Sequence, residues 1–254
     1  MSEILRAQDQ LFDRRQSARE KYVSLVVGLP GWGPLVRHEI VTLASQNVPG
    51  AVGLVLRRTL YPSLLGACGR NVVFGQNVVL RHPHKIRIGD DVVVDDNCLI
   101  DAKGDTNRGI TIGSRVFIGR NTILSCKNGD IDLDDGVNIG FNCEIFSASS
   151  VRVGRDTLVA AYCYLIGGDH DFSDPTQPVV LQRRRSAGVR VGAGAWLGAG
   201  AKILDGVAIG DRAIVGAAAL VREAVPAGAI AVGVPAKVVG QRDDPPPAGQ
   251  AAAP

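Results

Sequence analysis

Aliphatic residues recur along this chain with a period of six. From residue 88 onward the series runs Ile88, Val94, Ile100; Ile112, Ile118, Leu124; Leu133, Ile139, Ile145; Val153, Val159, Leu165; Val191, Leu197, Ile203; and Ile209, Val215, Val221. A glycine often follows, as in Ile112-Gly113, Ile139-Gly140 and Leu197-Gly198. Four residues after each aliphatic position a small or compact residue returns, among them Cys98, Thr122, Cys143, Thr157, Cys163, Ala201 and Ala219. Asn128 and Asp169 break that rule. Six matches neither the 3.6 residues of a helix turn nor the two of a lone strand. It fits a solenoid in which each hexad is a short strand and a turn, three hexads make one triangular coil, and stacked coils bury a ladder that no coil buries alone.

Grouped in threes, the hexads keep their phase through every interruption. Extra residues enter between 100 and 112, 124 and 133, 145 and 153, and 165 and 191, always after the third hexad. All of them therefore leave one corner of the prism. The longest insertion lies within LIGGDHDFSDPTQPVVLQRRRSAGVRV, Leu165 to Val191, and insertions on one face of a repeat protein commonly build its binding face.

Residues 1–66 read differently. Apolar residues at helical spacing around Glu3 to Val27, Leu35 to Gln46 and Val52 to Leu65, broken by LPGWGP and NVPG, predict a helical cap leading into a first coil at Phe74 and Leu80. The domain reading is a cap over 1–66, a β-helix over 67–225 with a loop insertion at 166–189, and a C-terminal segment over 226–254. Its tail, DDPPPAGQAAAP, is Pro/Ala-rich and expected to be disordered. The cap is read first as a packing element; its rival is a peripheral membrane contact through the apolar N-terminal segment with Arg57 and Arg58.

Composition narrows the field. With 28 Lys+Arg against 25 Asp+Glu among 254 residues the charge is nearly balanced, which gives no reason to invoke nucleic acid. The start, charged from its third residue, lacks the apolar stretch of a secretory signal. Five cysteines without CxxC or Cys/His spacing suggest neither a disulfide framework nor a zinc site. A cytoplasmic protein is expected. Cys98, Cys143 and Cys163 occupy the small-residue slot, where packing outweighs reactivity.

Four histidines are available for chemistry. His38 is expected at the surface of the cap, and His82 and His84 to serve the structure of the first coil. His170 stands out: it lies on the longest insertion, where the small-residue rule fails, between Asp169 and Asp171. Loops held on a rigid scaffold are where function concentrates. Arg183, Arg184 and Arg185 share that insertion and read either as a solvated run or as contacts to an anionic acceptor.

From about Phe74 to Val239 the sequence resembles the hexapeptide-repeat acyltransferases, all-β solenoids built as left-handed parallel β-helices. Within them it looks most like the galactoside/maltose acetyltransferase type and the sugar O-acetyltransferases of surface-polysaccharide biosynthesis. The resemblance rests on GDHDF, on VGAGAWLGAGAKILDGVAIGDRAIVGAAALV and on AVGVPAKVV. It implies a homotrimer with sites between subunits and acetyl-CoA as co-substrate, without a metal. By position it implies that His170 is the catalytic base and that Asn142 faces the acceptor or the developing oxyanion. Trp196, Gly198, Ala199 and Ala217 would line the CoA channel, and Arg222 and Lys237 would meet the nucleotide phosphates. Departures from the pattern occur at Val221 and Gly240. Asp169, Asp171 or Glu144 could orient the imidazole, with Glu144 also an acceptor-side candidate; the residues alone do not choose. The implied activity is direct acetyl transfer from acetyl-CoA to a carbohydrate hydroxyl. N-acylation of an amino sugar and a non-catalytic scaffold are the alternatives.

Overall fold

The computed structural model describes residues 12–242. Short α-helices precede the repeat, among them α1 (Ala18–Tyr22), α2 (Trp32–Ser45) and α3 (Gly50–Leu60). Ser17 and Glu20 form a capping box at the start of α1, which satisfies N–H groups that the first turn leaves without partners. Parts of the anticipated first helical stretch, and the whole Pro/Ala-rich tail, lie outside the described residues.

The rest is a left-handed parallel β-helix with three faces, each collecting every third strand. The first face runs from Ala67–Cys68 through Ile86–Ile88, Ile110–Ile112, Asp130–Leu133, Ser150–Val153 and Val189–Val191 to Ala208–Ile209. On the second face, strands from Val73–Phe74 to Ile214–Val215 are followed by Ala229–Val232 and an antiparallel edge strand, Lys237–Gln241. The third face begins at Val79–Arg81, continues through Leu99–Asp101, Ile123–Cys126, Glu144–Ser147 and Tyr164–Gly167, and ends at Leu220–Val221.

Every aliphatic residue of the six-residue series is buried. The register shows how the ladder survives the interruptions: Ile88 pairs with Ile112, Leu133 with Ile112 and Val153, and Val191 with Val153 and Ile209. The insertions leave between the third face and the first, so none displaces an inward side chain. Contact between coils also explains the glycines that follow the aliphatic positions. A Cβ on Gly140 would stand 2.7 Å from the backbone nitrogen of Ala161 in the next coil, and one on Gly198 2.6 Å from that of Ala217.

The cap is fastened to the first coil by buried polar contacts. Tyr61 Oη donates to the Val78 carbonyl at 2.8 Å, and its ring meets Phe74 edge-on at 5.2 Å. Arg57 is 1% exposed and donates to the carbonyls of Ser45 (2.9 Å) and Val48 (2.7 Å) from Nη1 and of Phe74 (2.9 Å) from Nε. This overturns the reading of Arg57 as a surface cation beside Arg58. Successive helical residues point about 100° apart, and Arg57 faces inward, where carbonyls at the end of α2 need donors. His38 is likewise buried, not superficial, with Nε2 3.4 Å from the Leu80 carbonyl. His82, also buried, sets Nε2 3.0 Å from the Ser24 carbonyl, in keeping with its structural reading.

Candidate active site

The long insertion is an ordered hairpin at its base. Asp169–His170 pairs antiparallel with Arg184–Arg185, with His170 opposite Arg184. The Asp171 N–H donates to the Arg183 carbonyl at 2.8 Å. Asp171 Oδ2 accepts from Arg185 at 3.1 Å (Nε) and 2.9 Å (Nη2), while Oδ1 accepts from the Ser173 N–H at 3.0 Å. Hydrogen bonding from Ser173, with Arg185 contributing less, holds the Asp171 carboxyl below its ordinary pKa. Where the hairpin returns to the coil, Ser186 Oγ donates to the Gly167 carbonyl at 2.9 Å and lies 2.6 Å from Ser149 Oγ.

His170 is exposed on this rigid base. Its backbone N–H donates to Asp169 Oδ1 at 2.7 Å, and among the described residues its imidazole makes no hydrogen bond. Of the three carboxylates considered for orienting the ring, Asp171 is committed to Arg185 and Ser173, Asp169 to the chain itself, and Glu144 lies on the third face beside Tyr164. Burial, then the Glu144 charge, raises the Tyr164 hydroxyl above its ordinary value.

Asn142 occupies the opposite edge of that face. It precedes the strand Glu144–Ser147, whereas His170 follows Tyr164–Gly167. Its φ of 55° belongs to a column of left-handed residues at one corner, Asn77, Asn97, Asn121, Asn142, Tyr162, Gly200 and Ala218. Asparagine tolerates this conformation better than most residues, so the backbone alone accounts for Asn142. The corner also carries Ala199 and Ala217, both exposed, with Gly198 buried beside them. The Ala199 carbonyl accepts from the Ala218 N–H at 2.8 Å. Trp196, 47% exposed, stands on the second face in line with Leu158 and Ile214.

Arg222 and Lys237, both exposed, lie at the C-terminal end of the prism. The Leu220 N–H donates to the Gly233 carbonyl at 3.0 Å and the Ala236 N–H to the Leu220 carbonyl at 2.8 Å, which draws the strand bearing Lys237 toward the coil that ends before Arg222. Within one chain, His170 and Asn142 therefore bracket the third face, while the CoA candidates spread over the neighbouring corner, the second face and the C-terminal end.

Two lysines that the sequence pattern does not single out lie at the corner that carries the hairpin. Lys103 and Lys127 leave the corner from which the hairpin springs, on successive coils: the Asn128 N–H donates to the Lys103 carbonyl and the Lys127 N–H to that of Ser147. Burial, then repulsion from Arg184 and Lys103, holds the Lys127 ammonium below its ordinary pKa; burial does the same for Lys103. Arg184 thus lies within the field of a cationic group, whereas Arg185 is neutralised by Asp171 and Arg183 is exposed. The signal for the lysines was their place in the insertions, 24 residues apart like the paired Ile88 and Ile112. Among the described residues no group of three His, Cys, Asp or Glu could hold a metal ion.

Residues 188–223 match the family model of the bacterial transferase hexapeptide (six repeats). A probable acetyltransferase of Mycobacterium tuberculosis is 35% identical over 133 residues, covering 52% of this chain and 44% of that protein. The chain thus spans less than half the length of that curated relative. Among solved structures, a mutant of AntD, an N-acyltransferase from Bacillus cereus in complex with dTDP and coenzyme A, is 25% identical with a TM-score of 0.51, covering 71% of this chain and 85% of that one. The polysialic acid O-acetyltransferase OatWY shares the fold at 22% identity and a TM-score of 0.52, over 69% and 81% of the two chains. Sixfold periodicity, three parallel faces and the matched repeat converge on a β-helix built of hexapeptide repeats, with acyltransferases among the proteins it resembles.

Proposed function

We propose that the protein is a CoA-dependent acyltransferase that transfers an acetyl group from acetyl-CoA to a hydroxyl of an anionic carbohydrate, with His170 as general base. The observation that carries this is the hairpin itself: a histidine with no internal partner for its ring, on a braced loop beside Arg184 and Lys127. The relatives supply the reaction class, since AntD is an N-acyltransferase whose structure holds coenzyme A.

A sugar hydroxyl is a weak nucleophile at neutral pH and needs a base within hydrogen-bond reach. The hydroxyl oxygen attacks the thioester carbonyl as its proton passes to the His170 imidazole. The tetrahedral oxyanion needs a donor, for which Asn142 Nδ2 or a backbone N–H near Ala199 serves. Collapse breaks the C–S bond, and the thiolate takes the proton back from the imidazolium, leaving an acetyl ester and CoA thiol. No covalent acyl-enzyme is required. Trp196, Gly198, Ala199 and Ala217 would line the co-substrate, with Arg222 and Lys237 near its phosphates. Because Asn142 and His170 lie at opposite edges of one face, a centre containing both is best completed by a neighbouring copy in a trimer.

His170→Ala is expected to lower kcat by about 10² to 10⁴, the usual share of general-base catalysis, with the melting temperature and acetyl-CoA affinity retained. Near-wild-type turnover would refute the assignment. Likeness to an N-acyltransferase favours a second reading, transfer to an amino sugar by the same base. Alkali treatment of the product distinguishes them, because an ester hydrolyses and an amide persists.

A further inference from the structure

The helical cap carries a feature that acyl transfer does not use. Trp32, Val36, Ile40 and Leu43 recur at spacings of three and four along α2 and are 65, 47, 61 and 82% exposed. The opposite side of the helix, His38, Val41 and Ser45, is buried toward the first coil. Side chains at such spacings form one continuous stripe, so α2 turns one side to the β-helix and presents a second, apolar side outward. In α3, Val52 and Val55 are exposed to a similar degree, 66 and 64%. No helix among the described residues is long and apolar enough to cross a bilayer.

Cations outnumber carboxylates along this ridge. Glu39 is the sole acidic residue of α2 and α3, and its Oε1 is taken by the Tyr22 hydroxyl at 2.6 Å and His38 Nδ1 at 3.3 Å. Arg37 adjoins Trp32, Val36 and Ile40 around a shallow hollow. The Arg19 guanidinium lies 4.6 Å from the centre of the Trp32 ring. Arg58 extends from the last turn of α3 and is exposed.

We propose that this ridge docks the protein on an anionic lipid surface, with α2 lying in the interface, its apolar stripe in the acyl boundary, and Arg19, Arg37 and Arg58 among the headgroups. Apolar helix faces bordered by cations bind in this way without spanning the bilayer, and basic residues near the surface add attraction to acidic lipids that salt screens. Arg19, Arg37 and Arg58 outweigh Glu39 at the ridge, and an anionic phospholipid surface supplies the complementary negative charge.

The test is flotation of the full-length protein with vesicles of phosphatidylcholine alone and of phosphatidylcholine mixed with phosphatidylglycerol. The expected result is at least tenfold stronger partitioning onto the anionic vesicles, reduced by added salt, and a loss of tenfold or more in the double variant Ile40→Ser/Leu43→Ser. Turnover on a soluble acceptor and the melting curve should stay unchanged in that variant. Arg37→Ser should weaken binding to anionic vesicles while leaving the weak binding to neutral ones unaltered. Three results would overturn the proposal: no partitioning of wild type onto anionic vesicles at low salt, equal partitioning onto both compositions, or an oligomer that dissociates in the double variant. The last would make the ridge a contact between copies.

Discussion

Asp171 and Arg185 close the base of the hairpin that presents His170, with both Arg185 Nε and Nη2 on one carboxylate oxygen, at 3.1 and 2.9 Å. Two charge-assisted contacts hold the guanidinium against the carboxylate, so the pair braces the base from which the histidine leaves the scaffold. Asp171→Asn is expected to lower kcat while leaving the melting temperature almost unaltered, and to speed protease cleavage within 166–189. Because the folded-state pKa of Asp171 is depressed, the clamp is intact above the ordinary value of 3.8 and is lost as the pH falls below it. Hydrogen exchange of the loop should accelerate only in that acid range. A loop equally protected in wild type and variant would show that Asp171 is no clamp.

Lys127 and Arg184 repel one another, and among the described residues no carboxylate is hydrogen-bonded to either side chain. An acceptor phosphate or carboxylate placed between them would relieve that repulsion. In Lys127→Gln and Arg184→Gln the acceptor KM should rise about tenfold or more, the worth of one charge-assisted hydrogen bond, with little change in the acetyl-CoA KM. The corresponding neutral sugar should be a poor substrate for wild type and indifferent to both substitutions. A KM for the anionic acceptor within twofold of wild type in both variants, insensitive to salt, would exclude this role.

Arg57 ties the end of α2 to the first coil through four carbonyls, those of Ser45, Gln46, Val48 and Phe74, reached from two directions. Arg57→Ala removes those donors and leaves buried oxygens without partners, a loss on the order of 3 kcal/mol. Denaturant unfolding of the intact protein measures it. Lysine should not rescue, since one ammonium cannot span the Ser45 and Phe74 carbonyls as a planar guanidinium does.

Cys98 and Cys126 should be nearly inert in the native state. Burial pushes the Cys98 thiol up to about 11 and that of Cys126 higher still, and half-buried Cys68 is raised as well. A thiol reagent at pH 8 acts on the thiolate. Titration should therefore leave Cys98 and Cys126 unmodified and modify Cys68 slowly in native protein, with all five modified rapidly once it is unfolded. Fast native reaction at Cys98 would contradict the packing role.

The stack was legible because each inward position repeats its neighbour's environment, so the pattern from Ile88 to Val221 carries the same information many times. The hairpin was legible as a place but not as a shape. Its two-residue strands have no periodicity of their own, and Asp169 meets Arg185 only because the coil brings the ends of the insertion together. Lys103 and Lys127 were hidden for a related reason: unequal insertions obscure which residues of successive coils stack. Arg57 and His38 were misread because polarity suggests the surface, whereas helix ends and coil edges contain carbonyls that reward a buried donor.

The lengths taken up at a single corner have a further consequence. A coil closes in 18 residues from Val191 to Ile209 and in 38 from Val153 to Val191, and both step the ladder forward by the same one rung. Chain length and vertical advance are decoupled at that corner alone, so a segment can be lengthened, shortened or exchanged there without shifting any residue above or below it. The opposite is true of the other two corners, where one added residue would turn every following side chain out of the prism. The molecule thus separates a conserving axis from an innovating edge, and a new acceptor preference can arise along that edge at no cost to the column that carries it.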